Sequence, residues 1–432
     1  MSSDSPPPPR AEPYDAGSTD DSLPRMVQDF AEHGNLYCVH APGRNRDTYV
    51  ISDPVDIKRV LLTNHRNYTK GVGFDRIKLL LGNGIINSDG ALWQRQRRML
   101  QPAFTRSVIE KAGEMIVALN TARLDRWEQL ADSGEPLNLT LEMSQLSLDI
   151  VLKSLFGADI DRLTQEQGGN PFAMVTEDST RDLKFAYRFR QLGKHVEAII
   201  TRRQQAGITG EDWLGTMLAG RDPATNAPMS MRELLDEVFS LIVAGHETTA
   251  VTLNMAWYLL SQHPEIESAL HVELEGARLA DWQLATVETL HYTQQVLHET
   301  LRLYPPVWVF TRKSSNTDQL SGCPLPKDSD VFITPYVVHR HPDHWQDPES
   351  FCPARFAADA DPQPPRFAYV PFSAGPRHCI GESFAMYEMS IHLYLAARRF
   401  KLRYFGNPPE FEARINLRTK EDLQMKVERR GW

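Results

Sequence analysis

The chain has 432 residues, 41% of them apolar, enough to bury a substantial core in one large domain or in two or three smaller ones. Its formal net charge of −9 and pI of about 5.9 argue against a nucleic-acid-binding protein. Four cysteines (Cys38, Cys323, Cys352 and Cys379) are irregularly spaced without a CxxC pair, which fits reduced thiols in a cytosol better than a disulfide framework.

Residues 1–24 are rich in Pro, Ser and Asp and contain the run Pro6-Pro7-Pro8-Pro9. They lack the apolar stretch of a signal peptide or a membrane anchor, and the composition predicts a disordered tail ahead of one folded domain over 25–432. Short β-like runs follow at Leu36–His40 and Thr48–Ile51, and again at Val331–Pro335 and Leu423–Val427. Helical periodicity dominates from Asp56 to Leu303, so strands from both ends flank a helical mass. Early in it, Ser88-Asp89-Gly90 reads as a helix cap, and Trp93 and Arg97 share one face at i, i+4.

Ser230-Met231-Arg232-Glu233 is a capping-box signature, and the helix it opens can run to His263-Pro264, about 48 Å. Its apolar stretch Val238–Leu260 is broken by His246, Glu247 and threonines, so it reads as a buried core helix rather than a membrane span. At its centre stands Ala244-Gly245-His246-Glu247-Thr248-Thr249. Ala244 and Gly245 leave room for a flat ligand against the helix. A threonine hydroxyl can bond back to a carbonyl one turn earlier and open a groove. Acid beside alcohol, Glu247 next to Thr248, suits proton delivery to reducing O2. His246 reads as core packing or a solvated side chain as readily as a proton-path residue.

Glu299-Thr300-Leu301-Arg302 sets opposite charges at i and i+3, a spacing commonly met as a weak surface pair. Proline connectors at Pro305-Pro306 and Pro362–Pro365 punctuate the chain, and Phe351-Cys352-Pro353-Ala354-Arg355-Phe356 supplies a further arginine. Then comes Phe372-Ser373-Ala374-Gly375-Pro376-Arg377-His378-Cys379-Ile380-Gly381. Its cysteine stands where a loop enters a helix, and unpaired N–H groups there favour thiolate over thiol. Two glycines admit close backbone approach to the sulfur, and Arg377 can pair with a carboxylate.

These segments, in this order, resemble the cytochrome P450 family from about Gly84 to the C-terminus. The resemblance implies a mainly α fold with small β-sheets, a single haem-containing domain, haem b (iron protoporphyrin IX) and O2-dependent monooxygenation of a hydrophobic organic substrate. It makes Cys379 the iron ligand, Thr248 the oxygen-activating threonine and Glu247 its acidic neighbour. Phe372, Gly381, Ala244 and Gly245 then border the haem, and Trp93, Arg97, Arg312 and Arg377 hold propionates. Glu299, Arg302 and Arg355 join in a buried ion network. The substrate pocket falls to Phe74, Ile77, Ile85, Ile86, Leu241, Ala244, Val307, Trp308 and Val309, an apolar set that leaves fatty acid, terpenoid, polyketide and steroid open.

The reaction is RH + O2 + two electrons + two protons giving ROH and water, by hydroxylation or epoxidation. About 50 residues after Cys379 are too few for a reductase domain, so electrons are expected from a separate ferredoxin with its ferredoxin reductase, or from a flavodoxin. Arg95, Arg98, Arg398, Arg399 and Lys401 could form a docking patch. A cytoplasmic monomer is expected, with no nucleic-acid partner and no membrane anchor. The competing functions are a peroxide-driven haem peroxygenase and a non-catalytic haem ligand-binding protein.

Overall fold

The computed structural model describes residues 6–17, 21–177, 183–208 and 210–431. They divide between two compact units, one of 1–76, 298–379 and 410–420 and the other of 77–297, 380–409 and 421–432.

The first unit is built on a six-stranded sheet. Its strands are β1 (Arg10–Ala11), β2 (Leu36–Ala41), β3 (Arg46–Ile51), β4 (Tyr68–Lys70), β5 (Phe310–Ser314) and β6 (Asp330–Ile333), in the spatial order β1-β2-β3-β6-β5-β4. β2 and β3 run antiparallel with Leu36 opposite Ile51, and β3 pairs in parallel with β6, Thr48 opposite Asp330. Alternate residues go to opposite faces. Leu36, Cys38, Tyr49, Ile51, Val331 and Ile333 enter one apolar cluster, while Tyr37, Val39, Val50 and Phe332 enter another with Trp308. Burial on both faces is why these strands read as unbroken apolar runs in the sequence.

The expected disordered tail is corrected over 6–17. β1 pairs in parallel with β2, and the buried Tyr14 donates its hydroxyl to Asp29 at 2.9 Å. Composition missed this because the ordering comes from an open sheet edge and from apolar anchors, Ala11, Tyr14 and Ala16. Residues 1–5 and 18–20 of that tail lie outside the described residues.

The main helices, in chain order, are α1 (Ser22–His33), α2 (Gly90–Leu100), α3 (Gly113–Ser133), α4 (Leu139–Phe156), α5 (Met231–Gln262), α6 (His291–Leu303) and α7 (Glu382–Arg399). α5 begins as its sequence predicts, with Ser230 and Glu233 closing a reciprocal capping box, and it stops before Pro264. Within the second unit, α5 is tied to α7 and α3 by a buried polar chain. Trp257 Nε1–H donates to His392 Nε2 at 2.9 Å, and His392 Nδ1–H donates to Asn120 Oδ1 at 2.7 Å. Burial drives the His392 pKa down to about 3, so the ring is neutral and this tautomer is fixed. α4 comes so close to α5 that a Cβ on Gly245 would lie 2.8 Å from Val151 Cγ2. A three-stranded sheet of Leu137–Asn138, Phe400–Tyr404 and Gln424–Arg429 completes the unit. Among the described residues, no helix is long and apolar enough to cross a membrane.

Candidate functional site

The middle of α5 is open on one side. Ala244 is exposed and Glu247 and Thr248 are half-buried, although Leu241, Ile242, His246 and nearly every residue from Thr249 to Leu260 are buried. Thr248 Oγ1 donates to the Ala244 carbonyl at 2.6 Å, and Thr252 Oγ1 donates to the Thr248 carbonyl at 2.9 Å. Such back-bonding loosens the local helical ladder. The open face therefore presents a small residue, a carboxylate and a hydroxyl. Gly245 is half-buried beside them, and the space its missing side chain frees lies against Val151 of α4. His246 also turns to α4, where its Nε2 lies 2.8 Å from Ser144 Oγ.

One residue past Thr248, Thr249 Oγ1 donates to Glu388 Oε1 at 2.8 Å. Glu388 is buried in α7, its Oε2 has no hydrogen-bond partner among the described residues, and burial raises its pKa to about 8. Sequence reasoning missed this acid. Its signal was a lone Glu inside the apolar run from Phe384 to Leu393.

Cys379 is exposed on a loop that precedes α7 by three residues. Hydrogen bonds shape the loop: Ser373 N to Val370 O at 3.0 Å, His378 N to Gly375 O at 3.0 Å and Cys379 N to Phe372 O at 2.9 Å. Gly375 has φ +70°, and a Cβ there would collide with the Leu61 carbonyl. Here the glycine lets the loop press on the Leu61 turn. An accessible sulfur on a hydrogen-bonded loop is a donor suited to haem iron. Phe372, Arg377 and Gly381 are half-buried around it in sequence.

The predicted ion network is present within the first unit. Glu299 and Arg302 are both fully buried, with Arg302 Nε donating to Glu299 Oε2 at 2.7 Å and Nη2 to Oε1 at 2.8 Å. Arg302 also donates to the carbonyls of His339 (2.9 Å), Pro348 (2.6 Å) and Ser350 (3.0 Å), which uses all five of its N–H groups. Glu299 Oε1 accepts from Cys352 N at 2.8 Å and from Arg355 Nε at 3.3 Å. The pair is thus a saturated core device, and the surface reading of ExxR does not apply.

Trp93 and Arg97 stand half-buried on α2, with Arg97 Nε donating to Gln101 Oε1 at 3.1 Å. Arg312 is buried in β5 opposite Lys70 and donates to the Thr311 carbonyl at 2.9 Å. Among the pocket candidates, Phe74, Ile77, Ile85, Ile86 and Val307 are half-buried and Leu241 is buried. Trp308 is corrected: its Nε1–H donates to the Arg414 carbonyl at 2.8 Å and its ring is pinned in the sheet core, where Val309 packs against the same cluster. Most cations of the expected docking patch have partners within the second unit. Arg95 is bound by Asp222, Glu233 and the Pro228 carbonyl, Arg399 by Asp125 and Glu128, Lys401 by Glu267, and Arg398 by the Tyr394 hydroxyl. Arg95, Arg399 and Lys401 thus pair with acids far away in the chain, Arg398 bonds one turn back, and Arg98 stands exposed on α2.

The crystal structure of the cytochrome P450DA heme domain shares this fold, with a TM-score of 0.86 at 23% identity, covering 99% of this chain and 98% of that one. The family model described as Cytochrome P450 matches residues 16–427, and the chain belongs to that family. Cyclooctatin synthase of Streptomyces melanosporofaciens is 34% identical over 88% of this chain and 85% of its own length. Cyclooctat-9-en-7-ol 5-monooxygenase of the same organism is 31% identical over 88% and 85%. Pentalenene oxygenase of Streptomyces avermitilis is 28% identical over 85% and 84%. The protein is a haem-iron monooxygenase that inserts one atom of O2 into a hydrophobic organic substrate, with electrons from a separate redox partner.

Proposed function

We propose that this enzyme hydroxylates a cyclic terpenoid, that its cofactor is haem b, and that Cys379 is the iron ligand. The oxygenases similar to it act, by their names, on a hydrocarbon and on an unsaturated alcohol, and the half-buried Ile77, Ile85, Ile86 and Val307 suit such a skeleton. When bound, the haem supplies the redox chemistry that splits O2, and a thiolate donor favours that cleavage. Trp93, Arg97, Arg312 and Arg377 would hold its carboxylates, and Phe372, Gly381 and Ala244 would border it.

The chain's own part is to position substrate, exclude water and move protons. Thr248 Oγ1, held by the Ala244 carbonyl, passes a proton, and Glu247 beside it resupplies the hydroxyl. Glu299, Arg302 and Arg355 keep the first unit's core rigid. A ferredoxin with its reductase, or a flavodoxin, delivers the electrons to a cytoplasmic monomer whose catalytic domain is 25–432 together with β1.

The observation that carries the reading is the open face of α5, exposed Ala244 beside half-buried Glu247 and Thr248 in an otherwise buried helix, space that a flat cofactor and O2 would need. The test is the reduced, CO-bound absorption spectrum followed by a spin-shift screen of cyclic terpenes and terpene alcohols. A thiolate-type spectrum with a terpenoid-induced shift supports it, whereas turnover on peroxide without reductant and O2 overturns it.

A further inference from the structure

The loop before α2 is fastened to α5 by two consecutive carboxyls, all within the second unit. Asn83 N–H donates to Asp236 Oδ2 at 2.8 Å, and Ile85 N–H donates to Glu237 Oε2 at 2.9 Å. Glycines stand where the loop meets the helix, since a Cβ on Gly82 would collide with the Asp236 carboxylate and one on Gly84 with Ser240 Oγ. On its other side the loop is held by α2, whose Gln96 Nε2 donates to the Asn83 carbonyl at 2.9 Å. Residues 82–88 are therefore gripped between two helices by side chains that bind backbone, leaving Ile85 and Ile86 half-buried.

Glu237 is unusual for such a task. Its exposure is 0%, and Glu237 Oε1 and the neighbouring Ser240 Oγ are buried with no hydrogen-bond partner among the described residues. An acid kept dry at this cost is there for what it holds. The charged groups that act on it are Asp236 and Glu233 on α5, and Glu233 is itself bound by Arg95 of α2, which also holds Asp222 on the connection before α5. Arg95 is spent on Glu233 and Asp222, so Glu237 has no cationic partner among them. Burial, opposed by the Ile85 N–H and reinforced by Asp236 and Glu233, raises its pKa to about 8.

We propose that Asp236 and Glu237 are positioning residues for substrate selection: by clasping Asn83 and Ile85 they set where Ile85 and Ile86 stand in the pocket wall, about three turns upstream of Thr248. The inference rests on Ile85 and Ile86 lining the pocket, as in the proposed function. The loop carries the apolar surface, and α5 sets its height through two hydrogen bonds. Below about pH 8 Glu237 accepts from Ile85 as a neutral acid. Ionisation above it strengthens the Ile85 bond itself but places a charge in a dry site beside two carboxylates, and because burial outweighs that bond the loop loosens to let water reach the charge.

The test compares haem-loaded wild type with Glu237→Leu, which keeps the volume and removes the acceptor, and with Glu237→Gln, which keeps a neutral acceptor. The readouts are hydrogen exchange at the Ile85 amide and the affinity ratio for 2-phenylimidazole and 4-phenylimidazole, two apolar iron ligands of different shape. In Glu237→Leu, exchange at Ile85 should rise roughly tenfold and the ratio should shift about fivefold, with an unchanged reduced CO-bound spectrum. Glu237→Gln should restore both and abolish the loss of affinity expected of wild type above about pH 8. A haem-loaded Glu237→Leu with wild-type exchange and ratio overturns the proposal, as does Glu237→Gln behaving like Glu237→Leu. Should Glu237→Leu fail to load haem, the pH series decides, and parallel profiles for wild type and Glu237→Gln overturn it. If no cyclic terpene shifts the wild-type spin state, the terpenoid reading fails, while the phenylimidazole ratios still test the clasp.

Discussion

His339 Nε2 accepts a hydrogen bond from the Val370 N–H at 2.9 Å, and its Nδ1 faces the Arg302 carbonyl at 3.3 Å. One neutral ring thus links the Glu299–Arg302 pair to the backbone that leads into the Cys379 loop. Burial, reinforced by the Arg302 charge, lowers its pKa to about 3, which keeps Nε2 free to accept. Replacing His339 with Phe strands a buried donor and a buried acceptor. The expected cost is about 1–3 kcal/mol, seen as a lower thermal midpoint and faster haem loss.

Glu299→Ala should be more damaging, because it leaves the fully buried Arg302 guanidinium without its counter-charge. Removing one partner of a buried pair costs about 3–5 kcal/mol, so most of the variant should purify without haem. Arg302→Lys should share the defect, since an ammonium cannot occupy five acceptor positions. The haem-to-protein absorbance ratio measures both. A fully loaded Glu299→Ala would remove the network from any role in holding the cofactor.

Thr248→Ala deletes the hydroxyl that bonds the Ala244 carbonyl. Electron consumption should continue while product per electron pair falls about tenfold or more, because protons arrive without direction. Thr248→Ser should recover most of the coupling. The ratio of product to oxidised reductant is the measurement, with the proposed terpenoid substrate or any compound giving a spin shift.

Buried titratable groups give stability a two-sided pH dependence. His339 and His392 have folded pKa values near 3, below the ordinary 6.5, so their contribution is present above 6.5 and is lost as pH falls toward 3. Glu237 and Glu388 have folded values near 8, above the ordinary 4.5, so theirs is present below 4.5 and is lost as pH rises to about 8. Of these four groups, only the glutamates contribute a slope between 6.5 and 8. Glu388→Gln should therefore lose less stability across that window than wild type, measured by thermal midpoints at both ends.

The strands at Leu36–Ala41 and Asp330–Ile333 were legible because burial on both faces makes an unbroken apolar run, and α5 because Ser230 and Glu233 mark its start. The Cys379 loop carried its own signature. Glu237 and Glu388 were not legible, since a lone acid in a helix reads as a solvated face until its surroundings are known. Nor were Arg399 and Lys401: nothing local shows that Asp125, Glu128 and Glu267 neutralise them. Trp308 misled for the opposite reason. Its residue type suited the pocket, but the Arg414 carbonyl and the sheet core claim it.

β1 shields the outer backbone of β2, with Arg10 and Ala11 opposite Cys38 and Val39. A recombinant chain begun at residue 25 would bare that row of amides and carbonyls to a second molecule. Trimming the proline-rich leader to help crystallisation should instead promote self-association, visible by light scattering before any catalytic defect.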